Sequence, residues 1–286
     1  MGNTVKKYIN LNGQILSAEE PHIYHTNRAF CYGDSLFETI HANGVNLHFF
    51  EDHFSRLSQG MRTLKMAQPL LFSQKYLEEE ITGLIKRNKY FTGNRIRLTV
   101  FRNPGGYYTP TDSQISWLIE VNPITNQEYQ LNEKGLKVSI YDAIRKPVNI
   151  LSAFKTGNSL IYTMAGLFKT ENNFDDCLLL NAEGNLVEAV SSNLFLVKNH
   201  SLLTPPVGEG PVMGITRKHI MGIARELKIP VYEQALKPGY LLDADECFLT
   251  NTIQGISWVM GYKTKRYFSK MAATLLEELK KRMKVN

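Results

Sequence analysis

The sequence predicts an α+β fold in two parts. Three observations point there: strand pairs closed by Asn12-Gly13 and Asn43-Gly44, stretches whose apolar residues recur at helical spacing, and a polar, turn-rich segment at 121–132 that divides the chain as a linker. The first part, 1–120, opens with the strand-turn-strand pattern "YINLNGQIL" and continues with a second strand pair in "SLFETIHANGVNLHFF". "EDHFSRLSQGMRTLKM" then places Phe54, Leu57, Met61 and Leu64 on one helix face, and "RIRLTVFR" alternates as a strand.

The second part, 133–286, begins with the strand "LKVSIYDA", followed by "FKTGNSLIYTMAG", which carries Lys155 into a helix. Short strands follow in "DCLLLNAEGNLVEAVSSNLFLVKNHSLLTPP", parted by turns at Glu183-Gly184 and Asn199-His200. A Pro/Gly loop, "TPPVGEGPVMGITR", leads into a helix with Ile220, Ile223, Ala224 and Leu227 on one face. In the final helix Phe268, Met271, Ala272, Leu275, Leu276, Leu279 and Met283 share a face, so the lysines of "KKRMK" at 280–284 form its solvated side.

Composition narrows the function. The 286 residues are 43% hydrophobic and 21% charged, and the formal charge of +6 is spread along the chain, so a nucleic-acid partner is not expected. Cys31, Cys177 and Cys247 are far apart and form no metal-ligand motif; this argues against a disulfide framework and a zinc site and favours a reducing compartment. The start, "MGNTVKKYINLNGQ", lacks the apolar run of a signal peptide, and Lys6 occupies the serine or threonine position of a myristoylation signal. Together with the absence of any apolar run long enough for a membrane span, this predicts a cytoplasmic protein with no membrane partner.

Several residues could form a site. Lys155 either ends an exposed strand or points inward, where its amine must be paired, deprotonated or covalently used. The backbone N–H groups of Ile215 and Thr216 open a helix and suit a phosphate, or the loop is a plain helix entry. "FLTNTIQGI" ends a strand in Thr250, Asn251 and Thr252, as a helix cap or as hydroxyls for a phosphate. Arg56 is either a phosphate clamp or the wet face of its helix. Glu188, among apolar neighbours, needs a cationic or N–H partner if it is buried.

Taken in order, Arg56, Lys155, Glu188 with "EAVSSNLFLV", "GITR" at 214–217 and "TNT" at 250–252 resemble the class IV aminotransferases, the fold-type-IV pyridoxal phosphate enzymes. The gaps, 33 residues from Lys155 to Glu188 and 28 from Glu188 to Thr216, are those of that family, and the resemblance runs from about Tyr8 to the C-terminus. It implies a D-amino acid aminotransferase-like fold of two α+β domains, a site between them and a homodimer. Lys155 would hold pyridoxal 5'-phosphate as a Schiff base and act as the catalytic base. Glu188 would face the pyridine nitrogen, while Arg56, the N–H groups of Ile215 and Thr216 and the Thr252 hydroxyl would hold the phosphate.

The resemblance also implies the substrates, an amino acid and a 2-oxo acid. "RIRLTV" and "CYGDSLFET" resemble the branched-chain enzymes, which makes Arg97, with Arg95 on its strand face, either a substrate-carboxylate group or part of an exposed basic strand, and Tyr32 and Phe37 either walls of a side-chain pocket or core; the family resemblance adds Ile253 to the substrate-binding set. The chain departs from that group at His41, where arginine is usual, and at Leu160, where a cofactor-contacting tyrosine is usual. Phe30 occupies the place of a tyrosine in the D-amino acid enzymes. "RNPGGYY" and "KTGN" resemble aminodeoxychorismate lyase, the runner-up activity, and a non-catalytic cofactor-binding relative is the third reading.

Overall fold

The computed structural model describes residues 6–125 and 127–285. Residues 1–5 of the stretch read for a leader, and Asn126 of the 121–132 segment, lie outside them. The chain separates into two compact units, one of Met1–Glu128 with Phe154–Asn158, the other of Tyr129–Ala153 with Ser159–Asn286. Each is a sheet with helices, in keeping with the α+β expectation.

In the first unit the elements are β1 (Tyr8–Leu11), β2 (Gln14–Ser17), α1 (Arg28–Tyr32), β3 (Ser35–Asn43), β4 (Asn46–Leu47), α2 (Phe50–Thr63), α3 (Gln74–Asn88), β5 (Gly93–Arg102) and β6 (Ile115–Pro123). The sheet runs β2-β1-β6-β5-β3-β4 with antiparallel neighbours. Asn12 and Gly13 both take positive φ, 53° and 87°, the geometry that closes a two-residue hairpin in step with strand twist. Alternation in β3 sends Leu36, Ile40 and Ala42 to one face, where they pack with Leu57 and Met61 of α2 and Ile81, Leu84 and Ile85 of α3. Each such leucine, isoleucine or methionine side chain, once buried, contributes roughly 1.5–3 kcal/mol. The opposite face carries Phe37, Thr39 and His41, set across from Thr99, Arg97 and Arg95 of β5.

The second unit holds β7 (Leu136–Lys146), α4 (Leu160–Glu171), β8 (Asp176–Asn181), β9 (Leu186–Ala189), β10 (Asn193–Lys198), β11 (Ser201–Thr204), α5 (Ile215–Glu226), β12 (Val231–Glu233), α6 (Tyr240–Asp243), β13 (Glu246–Asn251), β14 (Gly255–Tyr262), β15 (Lys265–Arg266) and α7 (Lys270–Val285). Its sheet runs β12-β11-β10-β13-β14-β7-β8-β9, and β9 also pairs with β10 through Glu188 and Asn193, which closes six strands into a ring. β8 is buried along its whole length, consistent with its continuous apolar run.

The final helix starts later than its periodicity suggests. Phe268 lies before α7 and is 75% exposed, while Tyr267 is buried in its stead. The Glu246 carboxylate accepts hydrogen bonds from the Met271 and Ala272 N–H groups and so fixes the helix start. Leu227 likewise falls at the C-cap of α5 and is partly exposed rather than on the buried face.

Candidate active site

Lys155 belongs with the first unit and not, as expected, with the C-terminal part. Its segment pairs with the start of β3: Phe37 N–H donates to the Lys155 carbonyl at 2.9 Å, and Gly157 N–H donates to the Ser35 carbonyl at 2.9 Å. Phe154 packs against the apolar core, so alternation turns Lys155 to the opposite sheet face. There its Nζ lies 4.6 Å from the centre of the Phe37 ring, and the Arg97 guanidinium carbon lies 3.9 Å from the same ring. Two glycines make the approach possible. A Cβ on Gly157 would sit 2.3 Å from Ser35 Oγ, and Gly33, at φ 67°, has Asn158 Oδ1 against the place a Cβ would take.

Arg56 is buried on α2 and is not its wet face. It donates to Glu38 through Nε at 2.8 Å and through a second guanidinium nitrogen, while His53 Nδ1 lies 2.7 Å from the same carboxylate. Burial pushes the Glu38 carboxyl up, but the Arg56 charge and the His53 hydrogen bond outweigh it and bring its pKa to about 2. Burial holds the His53 imidazole below its ordinary value against the pull of Glu38. Arg56 is thus fixed by a two-point carboxylate contact rather than swinging on its stem. Tyr32 lies at the end of α1, with the Arg28 guanidinium 4.8 Å from its ring centre.

Glu188, on β9, is 3% exposed. It carries the partners that its burial requires. Lys146 Nζ forms an ion pair with Oε1, the Tyr162 hydroxyl donates to the same oxygen at 2.7 Å, and Val212 N–H donates to Oε2 at 3.0 Å. Burial and the adjoining carboxylate hold the Tyr162 phenol above its ordinary pKa, so it stays a donor.

At the start of α5, Gly214 offers no side-chain cap, leaving the first-turn N–H groups, Ile215 and Thr216 among them, without one. A Cβ at 214 would lie 1.8 Å from Asn193 Oδ1, so a larger residue there would displace the Asn193 amide. Asn251 Oδ1 accepts from the Ile253 and Gln254 N–H groups, which turns the chain after β13, and the Thr252 carbonyl accepts from the buried Tyr129 hydroxyl. Thr252 and Ile253 are both half-buried. The Thr250 hydroxyl is buried without a partner among the described residues. Nor do the described residues hold a cluster of three His, Cys, Asp or Glu able to take a metal.

The sequence motifs point to the lysine, the arginine and the glutamate but not to their partners Glu38, His53, Lys146 and Tyr162. Glu38 was within reach: it falls on the same face of β3 as Leu36 and Ile40, and a carboxylate on an apolar face demands a cation. His53 and Arg56, three apart on α2, share the helix face that supplies it.

Residues 35–260 match the family model for amino-transferase class IV. The branched-chain-amino-acid aminotransferase of Escherichia coli K12 is 28% identical over 271 residues, 89% of this chain and 85% of that protein. The D-alanine aminotransferase of Staphylococcus epidermidis is 25% identical over 248 residues, 85% of this chain and 84% of its own length. In fold, the chain is similar to the branched-chain aminotransferase of Thermoproteus uzoniensis, solved with norvaline, at a TM-score of 0.86 and 24% identity over 98% of both chains.

Proposed function

The chain belongs to the class IV aminotransferase family, and from that premise we propose that it moves amino groups between a branched-chain type of amino acid and a 2-oxo acid. Pyridoxal 5'-phosphate, the family's cofactor, supplies an electron sink when bound and so lowers the cost of the negative charge left when an α-proton departs. The residues present suit it. Glu188 is a buried carboxylate with about four acceptor sites, of which three are taken, so one remains for a ring N–H. The start of α5, with Gly214 as its only cap, suits a phosphate, as does the Thr252 hydroxyl, and Arg56 adds a positioned cation.

Lys155 has the double task of covalent anchor and base. Its amine would take the α-proton of the substrate and hold it for return, a proton shuttle that needs one amine in one place. The observation that carries this reading is the pairing of the lysine segment with β3, which holds the Lys155 amine at the Phe37 ring on the face that also carries Arg97. Arg97 serves the substrate carboxylate, Phe37 and Tyr32 offer aromatic walls to an apolar side chain, and Ile253 is a further apolar residue assigned to the substrate.

The protein acts as a homodimer in this reading. Leu160, Met164 and Leu167 recur on one face of α4 at 71%, 39% and 51% exposure, an apolar stripe that a second copy would cover. A reducing, cytoplasmic setting fits the three free cysteines, two of them buried.

The experiment is a half-reaction. The cofactor-loaded protein is mixed with L-leucine, D-alanine or aminodeoxychorismate, and pyridoxamine phosphate or 4-aminobenzoate is followed. Pyridoxamine phosphate from L-leucine supports the reading; release of 4-aminobenzoate in its place makes the protein a lyase, and no reaction with any of the three removes the proposal.

A further inference from the structure

Glu188 comes with a built-in counter-ion. Lys146 is 5% exposed and lies at the last residue of β7, past a register shift between Tyr141 and Lys146 that turns it onto Asn181 of β8. Its ammonium takes Oε1 of Glu188 and lies 5.4 Å from the centre of the Tyr162 ring. Removing a carboxylate and an ammonium from water costs several kcal/mol for each ion, so a pair this deep persists only when the two satisfy one another. Tyr162 occupies a second site on Oε1, and Val212 N–H one on Oε2. The acceptor site that remains is therefore on Oε2, and the carboxylate that offers it is already neutralised.

We infer that Lys146 is a positioning residue that sets how strongly Glu188 holds a protonated ring nitrogen, moderating that hold and fixing the carboxylate through Oε1. The inference rests on the proposed pairing of Glu188 with the pyridine nitrogen. A bare carboxylate attracts a pyridinium with its full charge. One with an ammonium at Oε1 attracts it less, and releases the ring proton more readily. Without Lys146 the ring becomes the only cation that Glu188 has, so binding of the cofactor comes to depend on its nitrogen.

The test compares two probes on the apoprotein: pyridoxal phosphate, and its 1-deaza analogue, in which the ring nitrogen is replaced by CH. Dissociation constants are measured by tryptophan quenching for the wild type, Lys146→Met, Lys146→Arg and Glu188→Gln. The inference predicts that the preference for pyridoxal phosphate over the analogue grows about tenfold or more in Lys146→Met, through loss of a buried counter-charge, and stays near the wild-type ratio in Lys146→Arg. Lys146→Gln, which keeps a donor and loses the charge, is measured alongside and should move with the methionine variant; it carries the test if that variant does not fold. An unchanged ratio in both charge-removing variants, with a preference in the wild type that Glu188→Gln abolishes, overturns the role of Lys146 and leaves Glu188 at the nitrogen. A wild type that shows no preference at all overturns both.

Discussion

The Gly157 N–H donates to the Ser35 carbonyl at 2.9 Å, and this bond, with its neighbour from Phe37 to Lys155, bridges the lysine segment antiparallel to β3. The position of the Lys155 amine therefore depends on a residue with no side chain. Gly157→Ala would drive a Cβ to 2.3 Å from Ser35 Oγ and 2.8 Å from the Gly33 carbonyl. Overpacking of this kind costs about 1–3 kcal/mol. The expected outcome is a lower melting temperature together with slower turnover, whereas a variant with unchanged melting and unchanged kcat would detach the segment's geometry from function.

Lys155→Ala should remove turnover by about a thousandfold or more, since the variant would lose both the proposed anchor and the proposed base. Steady-state transamination with L-leucine and 2-oxoglutarate measures it. The fold should survive, because the pairing with β3 uses the backbone of residue 155 and the core contact is made by Phe154.

How much of this could be read from the chain is itself a physical matter. Hairpins at Asn12-Gly13 and Asn199-His200 were legible because positive φ leaves a local signature. The helix face of Leu57 and Met61 was legible because burial imposes a period. The side on which Lys155 lies was not, since it is decided by pairing with a strand far back in the sequence. Lys146 left still less trace: the irregularity at the end of β7 breaks alternation, so residues 142–145 are exposed and Lys146 is buried with no periodic cue. Tyr162, two positions past Leu160, reaches Glu188, and only the helix geometry reveals it.

Acid should destabilise the first unit in a defined window. The Glu38 carboxyl titrates at about 2 in the folded chain against 4.5 as reference, so the unfolded chain takes up the proton first. The stabilisation, on the order of 3 kcal/mol, is complete above pH 4.5 and is lost as pH falls from there towards 2. Urea midpoints between pH 7 and 3 should show this loss, and Glu38→Gln should flatten it. His48 and His53 add losses that begin at higher pH: burial lowers both from 6.5, so the unfolded chain gains these protons first as pH drops below that value.

Glu188→Ala should impair turnover more than retention of the cofactor if, as proposed, the carboxylate tunes the ring while the phosphate contacts hold it. The ratio of bound cofactor to protein after gel filtration, set beside kcat, separates the two. The variant also leaves Lys146 buried without its carboxylate, which should lower stability by about 3–5 kcal/mol. Full activity with full retention would take the glutamate out of the site.

The most direct measurement is reduction with borohydride after loading with pyridoxal phosphate, followed by peptide mass spectrometry. The expected result is a phosphopyridoxyl group on Lys155, with bleaching of the visible absorbance. An unmodified Lys155, or the group fixed on another lysine, would contradict it.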